Sequence, residues 1–199
     1  MKKLAIALAC LACAGSALAD TNVALGGGVT LTGGGFWNSG EWGLGVPALP
    51  SSVTDGVYLP IQTQWNLGTV FWSGDYGADS VTITLNQAAM VNQLNIQADN
   101  DNLYRIQYRD QANTWHDLAV MAPHLSWGMD NGSTTLDTPV AATAFMISGA
   151  AGRGDNHFAV SEFQAIGTVI PVPEPASYAM LGAGLALLGW TARRKQRRS

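Results

Sequence analysis

Few side chains in this 199-residue sequence are spaced for covalent chemistry. His116, His124 and His157 show no metal-ligand spacing, and no Gly-x-Ser-x-Gly elbow presents a nucleophile. Both cysteines, Cys10 and Cys13, fall in an N-terminal leader, so the exported chain is expected to have neither a thiol nucleophile nor a disulfide. Asp99 and Asp101 imitate the carboxylate pair of a glycosidase, yet alternate acids in the run Asp99-Asn100-Asp101-Asn102 more often stabilise a turn. Arg153-Gly154-Asp155 has the form of an adhesion tripeptide, but a Gly-rich turn before the final strand explains it without a receptor. The expectation is a protein that is not an enzyme.

The ends of the chain carry addresses. Lys2 and Lys3 precede an apolar run from Leu4 to about Ala14, and Ala17-Leu18-Ala19 supplies a small-x-small cleavage site. These are the three zones of a signal peptide, residues 1–19, with the mature chain starting at Asp20. At the other end Pro171-Val-Pro-Glu-Pro175 reads as a stiff extended spacer and a domain boundary. Residues 176–192 form an apolar run that spans roughly 25 Å as a helix, long enough to be expected to cross a bilayer. Arg193, Arg194, Lys195, Arg197 and Arg198 follow as a cytoplasmic stop. Between the ends only Arg105, Arg109 and Arg153 oppose thirteen acidic residues, an imbalance that disfavours nucleic acid and suits neutral sugars, cations or a basic partner.

Residues 20–170 read as all β. Val81-Thr-Ile-Thr-Leu85 and Tyr104-Arg-Ile-Gln-Tyr-Arg109 alternate apolar and polar side chains, Ala144-Phe-Met-Ile147 is a short buried run, and Asp/Asn/Gly clusters separate such segments. Short strands at close spacing predict an antiparallel β-sandwich. Residues 26–45 carry nine glycines around Phe36, Trp37 and Trp42 and are expected to form a long loop pinned by its aromatics.

Two resemblances follow. Pro173-Glu174-Pro175, the adjoining apolar helix and the terminal basic cluster together resemble a PEP-CTERM sorting signal, a segment also likened to the C-terminal domain of ice-binding proteins. That resemblance implies signal peptidase and an exosortase as processing partners, an intermediate anchored in the inner membrane, and final residence at the cell surface or outside the cell. The succession Ser51-Ser-Val-Thr-Asp-Gly56, Val81 to Leu85, Val91-Asn-Gln-Leu-Asn-Ile96, Tyr104 to Tyr108, Trp115-His-Asp-Leu118 and Ala159-Val-Ser-Glu-Phe-Gln-Ala165 resembles the discoidin, or coagulation factor 5/8 type C, family of galactose-binding-like domains. It implies an antiparallel jelly-roll β-sandwich over most of residues 21–168.

The discoidin resemblance also implies binding sites. Family members often hold a structural calcium ion, which places Asp55 and Glu162 as side-chain ligands here. The apolar phase shifts between Val160 and Phe163, consistent with a bulge that re-aims Glu162; Asp55-Gly56 as a plain turn and Glu162 facing solvent remain open. Sugar-binding relatives stack aromatic rings on sugars, which makes Trp37, Trp42, Trp72 and Trp127 candidate ligand contacts, aided by Asp75, Asp79 or Asn131, while Trp65 and Trp115 fit core positions. Each tryptophan serves equally as a cover for the sandwich ends. The expected function is non-catalytic attachment at the cell surface or in the extracellular matrix through polysaccharide. The alternatives are a structural matrix or biofilm component without a small ligand, and a glycan hydrolase.

Overall fold

The computed structural model describes residues 19–36, 45–74, 76–171 and 175–196. The signal peptide up to Leu18, Trp37, Trp42, Asp75, Pro173, Glu174, Arg197 and Arg198 lie outside the described residues. By its contacts the chain divides into two compact units, Met1–Val169 and Ile170–Ser199.

The first unit is built of strands β1 (Thr21–Asn22), β2 (Gly28–Thr32), β3 (Val46–Pro47), β4 (Leu67–Ser73), β5 (Ser80–Asp99), β6 (Leu103–Arg109), β7 (Trp115–Met121), β8 (Met129–Ala150) and β9 (His157–Val169), with one 3-10 turn at Pro50–Thr54. Their order is β3-β4-β9-β5-β8-β6-β7, with β1 added to β9 and β2 to β5. Every pairing is antiparallel except that of β3 with β4.

Two strands of 20 and 22 residues, β5 and β8, make a sandwich out of this sheet. Their register slips between Thr84 and Ala89 and again between Val91 and Gln93, and irregularities of this kind bend a strand. Before the slips β5 pairs with β2 and with Ala144–Ser148 of β8; after them it pairs with β9 and with residues 129–142. The same two strands therefore serve both layers.

The core follows the alternation read from the sequence. Val81 and Ile83 of β5, Tyr104 and Ile106 of β6, Phe145 and Ile147 of β8, and Phe158, Val160 and Phe163 of β9 meet between the layers. Trp72 lies there too, only 2% exposed. Its ring stacks on Phe158 at 5.5 Å and meets Tyr104 and Phe36 at 6.4 and 5.4 Å. Trp72 was expected among the ligand contacts; it is instead a core residue, because β4 turns it inward against three aromatic rings. Trp65 packs on a satellite cluster of Phe71, Met129 and Ala159, and Trp115 lies half-buried beneath Arg109.

The described end of the Gly-rich segment owes its composition to Asp79. This carboxylate is 4% exposed and accepts a hydrogen bond from Gly35 N–H at 2.9 Å. A Cβ on Gly33 would stand 1.8 Å from Asp79 Oδ1, and Gly33 also has φ +117°, so only glycine lets the main chain wrap the acid. Asp79 is thus a loop anchor and not a surface contact for a ligand.

In the second unit a helix, α1 (Pro175–Gln196), forms over the expected run. The expectation that it crosses a bilayer is corrected: no helix among the described residues is long and apolar enough to cross a membrane. Gly182, Gly184, Gly189, Ser177 and Thr191 dilute the leucines, and the basic residues enter before the helix ends. Arg194 and Arg193 are exposed, and the Arg194 guanidinium lies 4.2 Å over the Trp190 ring.

Phe158→Ala removes a ring that touches Trp72, Tyr104 and Tyr76. It is expected to cost about 3–5 kcal/mol, read as a lower urea midpoint at unchanged slope, whereas Trp127→Ala on the surface is expected to change stability by about 0.5 kcal/mol or less.

Candidate functional site

The loops at one end of the sandwich are laced together by main-chain hydrogen bonds. Gln62 N–H donates to Met129 O at 3.0 Å and Met129 N–H to Thr63 O at 2.9 Å, which joins the loop before β4 to the start of β8. Asn100 N–H donates to Gly128 O at 3.0 Å, adding the β5–β6 turn. Arg153 Nη2 reaches Asn100 O at 2.6 Å and brings in the β8–β9 loop.

Trp127 stands out from this end, 57% exposed. Its loop, residues 122–128, is held from beneath by Asp130, a carboxylate 4% exposed whose Oδ2 accepts from Leu125 N–H and from Ser126 N–H at 2.9 Å. The other oxygen accepts from Asn131 N–H at 2.8 Å. Two main-chain donors of the loop and a third from β8 thus converge on one acid, which ties the loop to the strand. His124 and Leu125 of this loop, Val120 and Met121 of β7, and Asn131 and Ser133 of β8 wall a cavity of about 300 Å³.

Asn131 is aimed by Gln97. The Gln97 side chain is completely buried, yet all its hydrogen-bonding positions are engaged. Its Oε1 accepts from Leu59 N–H at 2.7 Å and Ser161 Oγ at 2.6 Å, and its Nε2 donates to Leu59 O at 2.9 Å and Asn131 Oδ1 at 3.0 Å. Because the Asn131 carbonyl is occupied, its exposed amide turns N–H donors outward.

Glu162 pairs with Gln97 across the ladder, and Asp55 is its charged neighbour. The expected bulge is present: Ala98 pairs with Val160 and Gln97 with Glu162, so Ser161 is the extra residue. The bulge turns Glu162 inward, fully buried, with Oε2 accepting from Gly56 N–H at 3.2 Å and Oε1 buried without a partner. Burial is the main reason its pKa is pushed up to about 7, and the Asp55 charge adds to the shift. Asp55 caps the 3-10 turn and is exposed, its Oδ1 accepting from Val57 N–H at 2.8 Å.

The structure places Asn131 in the wall of this cavity and Trp127 on the loop that supplies His124 and Leu125 to it, without lining it; it brings Asp55 and Glu162 together and removes Trp72 and Asp79 from the surface. Sequence reasoning missed Gln97 and Asp130. A glutamine in an apolar strand and an aspartate opening one carry a faint signal, since a polar residue at an inward position needs partners that only the fold supplies.

Comparison with known proteins adds the family of the tail and the likeness of the fold. Residues 171–198 match the family described as the PEP-CTERM protein-sorting motif. The tail is a sorting signal. It implies export and processing at the membrane. The sandwich is similar to the C-terminal domain of a chitobiase from Bacteroides fragilis, at TM-score 0.52 and 15% identity over 76% of this chain and 99% of that one. It is also similar to the family 32 carbohydrate-binding module of Streptococcus pneumoniae EndoD, at TM-score 0.50 and 15% identity over 73% and 98% of the two chains. A third similar structure is CBM32-1 from a family 31 glycoside hydrolase of Clostridium perfringens, at TM-score 0.50 and 13% identity over 72% and 97%. The fold is thus that of discoidin-like carbohydrate-binding modules, and identities this low speak for the fold alone. No curated protein sequence matches the chain.

Gln97→Leu keeps the bulk and removes every one of these hydrogen bonds. Leaving both polar groups of Leu59 unpaired is expected to cost about 2–5 kcal/mol, seen in the chemical unfolding midpoint, with faster amide exchange at Leu59 as the local signature.

Proposed function

We propose that the exported domain is a non-catalytic carbohydrate-binding module that holds an extracellular polysaccharide through Trp127, and that the PEP-CTERM tail delivers it to the cell surface or matrix. The observation that carries this reading is the posture of Trp127: a large ring kept in water by a loop that Asp130 and Gly128 tie down on both sides. An exposed aromatic face of this kind can stack on the C–H face of a sugar. In the cavity walled by the same loop, His124, the outward Asn131 amide and Ser133 offer donors and acceptors for hydroxyl groups. The acidic surface argues for a neutral or basic glycan over an anionic one. An exosortase supplies the processing step that the tail requires.

Trp127→Ala is expected to abolish retention on polysaccharide and binding to a glycan array while leaving the unfolding midpoint in place. Undiminished binding by this variant sinks the assignment, and a wild-type chain that binds no glycan favours a purely structural matrix role.

A structural calcium ion fits the second pair of residues. The unpartnered Glu162 Oε1 and the Asp55 carboxylate would hold it, with main-chain carbonyls completing an oxygen shell. The ion would supply charge balance and rigidity where a buried carboxylate otherwise keeps a proton.

That balance sets a pH dependence of known sign. In the metal-free chain Glu162 keeps its proton up to about pH 7 when folded and loses it near 4.5 when unfolded. Its stabilising share is thus complete below pH 4.5 and lost as pH rises through 7, a change on the order of 3 kcal/mol. Calorimetry in chelator is expected to show an unfolding temperature that falls across this range. Added calcium restores it at pH 7–8, and Glu162→Gln removes both effects. An unfolding temperature at pH 8 that ignores chelator overturns the calcium assignment.

A further inference from the structure

One edge of the sandwich lacks the devices that keep sheet edges apart. One layer runs β2-β5-β8-β6-β7, so β2 and β7 bound it. An edge strand presents unpaired N–H and C=O groups, and proteins blunt it with charge, proline, a bulge or short length. β7 carries His116 and Asp117 and slips register opposite Ile106 and Gln107. β3, at the edge of the other layer, has two residues, one of them Pro47. β2 has none of these devices: its five residues, Gly28-Val-Thr-Leu-Thr32, lie in unbroken register with Ser80–Thr84 of β5. Among the described residues, hydrogen bonds to its backbone from outside β5 stop at Gly27, whose carbonyl accepts from Thr54 Oγ1 at 3.0 Å, and resume at Gly35, whose carbonyl accepts from Ser73 N–H at 3.1 Å.

Charge decides what lies well against this edge. No charged side chain occurs from Thr21 to Phe36, nor in Ser80–Leu85 behind it. Residues 20–170 as a whole set three arginines against thirteen acids, so two copies repel one another across most approaches. Across β2 they do not. The strand also borders an apolar cavity of about 360 Å³ walled by Leu31, Phe36, Pro47, Leu49, Pro50 and Val70, and Leu49 is 76% exposed. Apolar surface of this kind gains from being covered.

We propose that β2 is the seam of a homodimer, pairing antiparallel with β2 of a second copy of this chain about a two-fold axis through Thr30. The alternation of the strand sets the register. Gly28, Thr30 and Thr32 face solvent, while Val29 and Leu31 pack against the core. A slip of one residue sets a threonine against an apolar side chain and turns one copy's inward face outward. Of the registers that keep the faces, the one centred on Thr30 pairs all five residues: Thr30 with Thr30, Val29 with Leu31 and Gly28 with Thr32. The layer then runs unbroken through both copies, and the contact is isologous and closed, so no third copy adds at this edge. It depends on neither the glycan reading nor the Asp55–Glu162 pair.

Sedimentation velocity on the full-length chain in detergent, over a range of protein concentrations, tests this. The chain is expected to move as a concentration-dependent dimer, with amide exchange in residues 28–32 slowing as the dimer forms. Thr30→Lys sets like charges opposite one another at the two-fold axis and is expected to weaken association by about tenfold or more. Thr84→Lys, the same charge one strand inward, is expected to leave it as it was. Both threonines are exposed, so neither change disturbs the folded chain. An equal mixture of Thr30→Lys and Thr30→Glu chains is expected to restore the dimer, which a merely damaged strand does not do. A chain that stays monomeric at every concentration overturns the proposal, and so does association that Thr30→Lys leaves unchanged, the result expected if the tail helices alone hold copies together.

Discussion

The structure hangs on one buried amide. Gln97 sits near the end of the central strand and links three things that the backbone ladder alone cannot join: the loop at Leu59, the bulged residue Ser161 and the outward Asn131. A bulge leaves one residue unpaired in the ladder, and here the Ser161 hydroxyl repairs the loss by donating to the Gln97 oxygen. The bulge turns Glu162 inward, the Leu59 contact holds the chain that follows Asp55, and the Asn131 contact orients the polar side of the Trp127 site. Both candidate sites therefore inherit their geometry from a residue that touches no ligand.

A second theme is how a chain so poor in cations manages buried acids. Asp79, Asp130 and Glu162 are each met by main-chain N–H groups, from Gly35, from Leu125, Ser126 and Asn131, and from Gly56. An amide on a loop, unlike a lysine on a flexible stem, can serve the acid only if the loop adopts one path, so the hydrogen bond that solvates the charge also fixes the backbone. With no disulfide expected in the exported part, these acids do the fastening. Where main-chain donors are too few, as at Glu162 and around Asp99, burial pushes the carboxyl pKa upward.

Much of the sandwich was legible in the sequence because strand alternation is local: Val81 to Leu85 and Tyr104 to Arg109 show their inward faces directly. The bulge near Glu162 was legible for the same reason, as a break in the apolar phase. Trp72 was misread because the run Ser73-Gly74-Asp75 directly after it resembles a turn, and only the packing of Phe36, Tyr104 and Phe158 around it reveals a core position. Asp79, Gln97 and Asp130 were invisible as structural residues since each acts on backbone far from it in sequence or across a turn. The tail motif was plain, but glycine and hydroxyl residues take α1 below the apolarity expected of a span.

The sorting tail follows β9 in the chain, a strand paired with β5 from Val160 to Val169, with β4 from His157 to Val160 and with β1 at Ile166 and Gly167. When the tail tethers the domain and a bound polymer pulls on the opposite end, the load runs along that strand. Its hydrogen bonds lie across the pull and resist together in shear, unlike a zipper that opens one bond at a time. A strand seated in this way resists such a pull with all of its pairings at once.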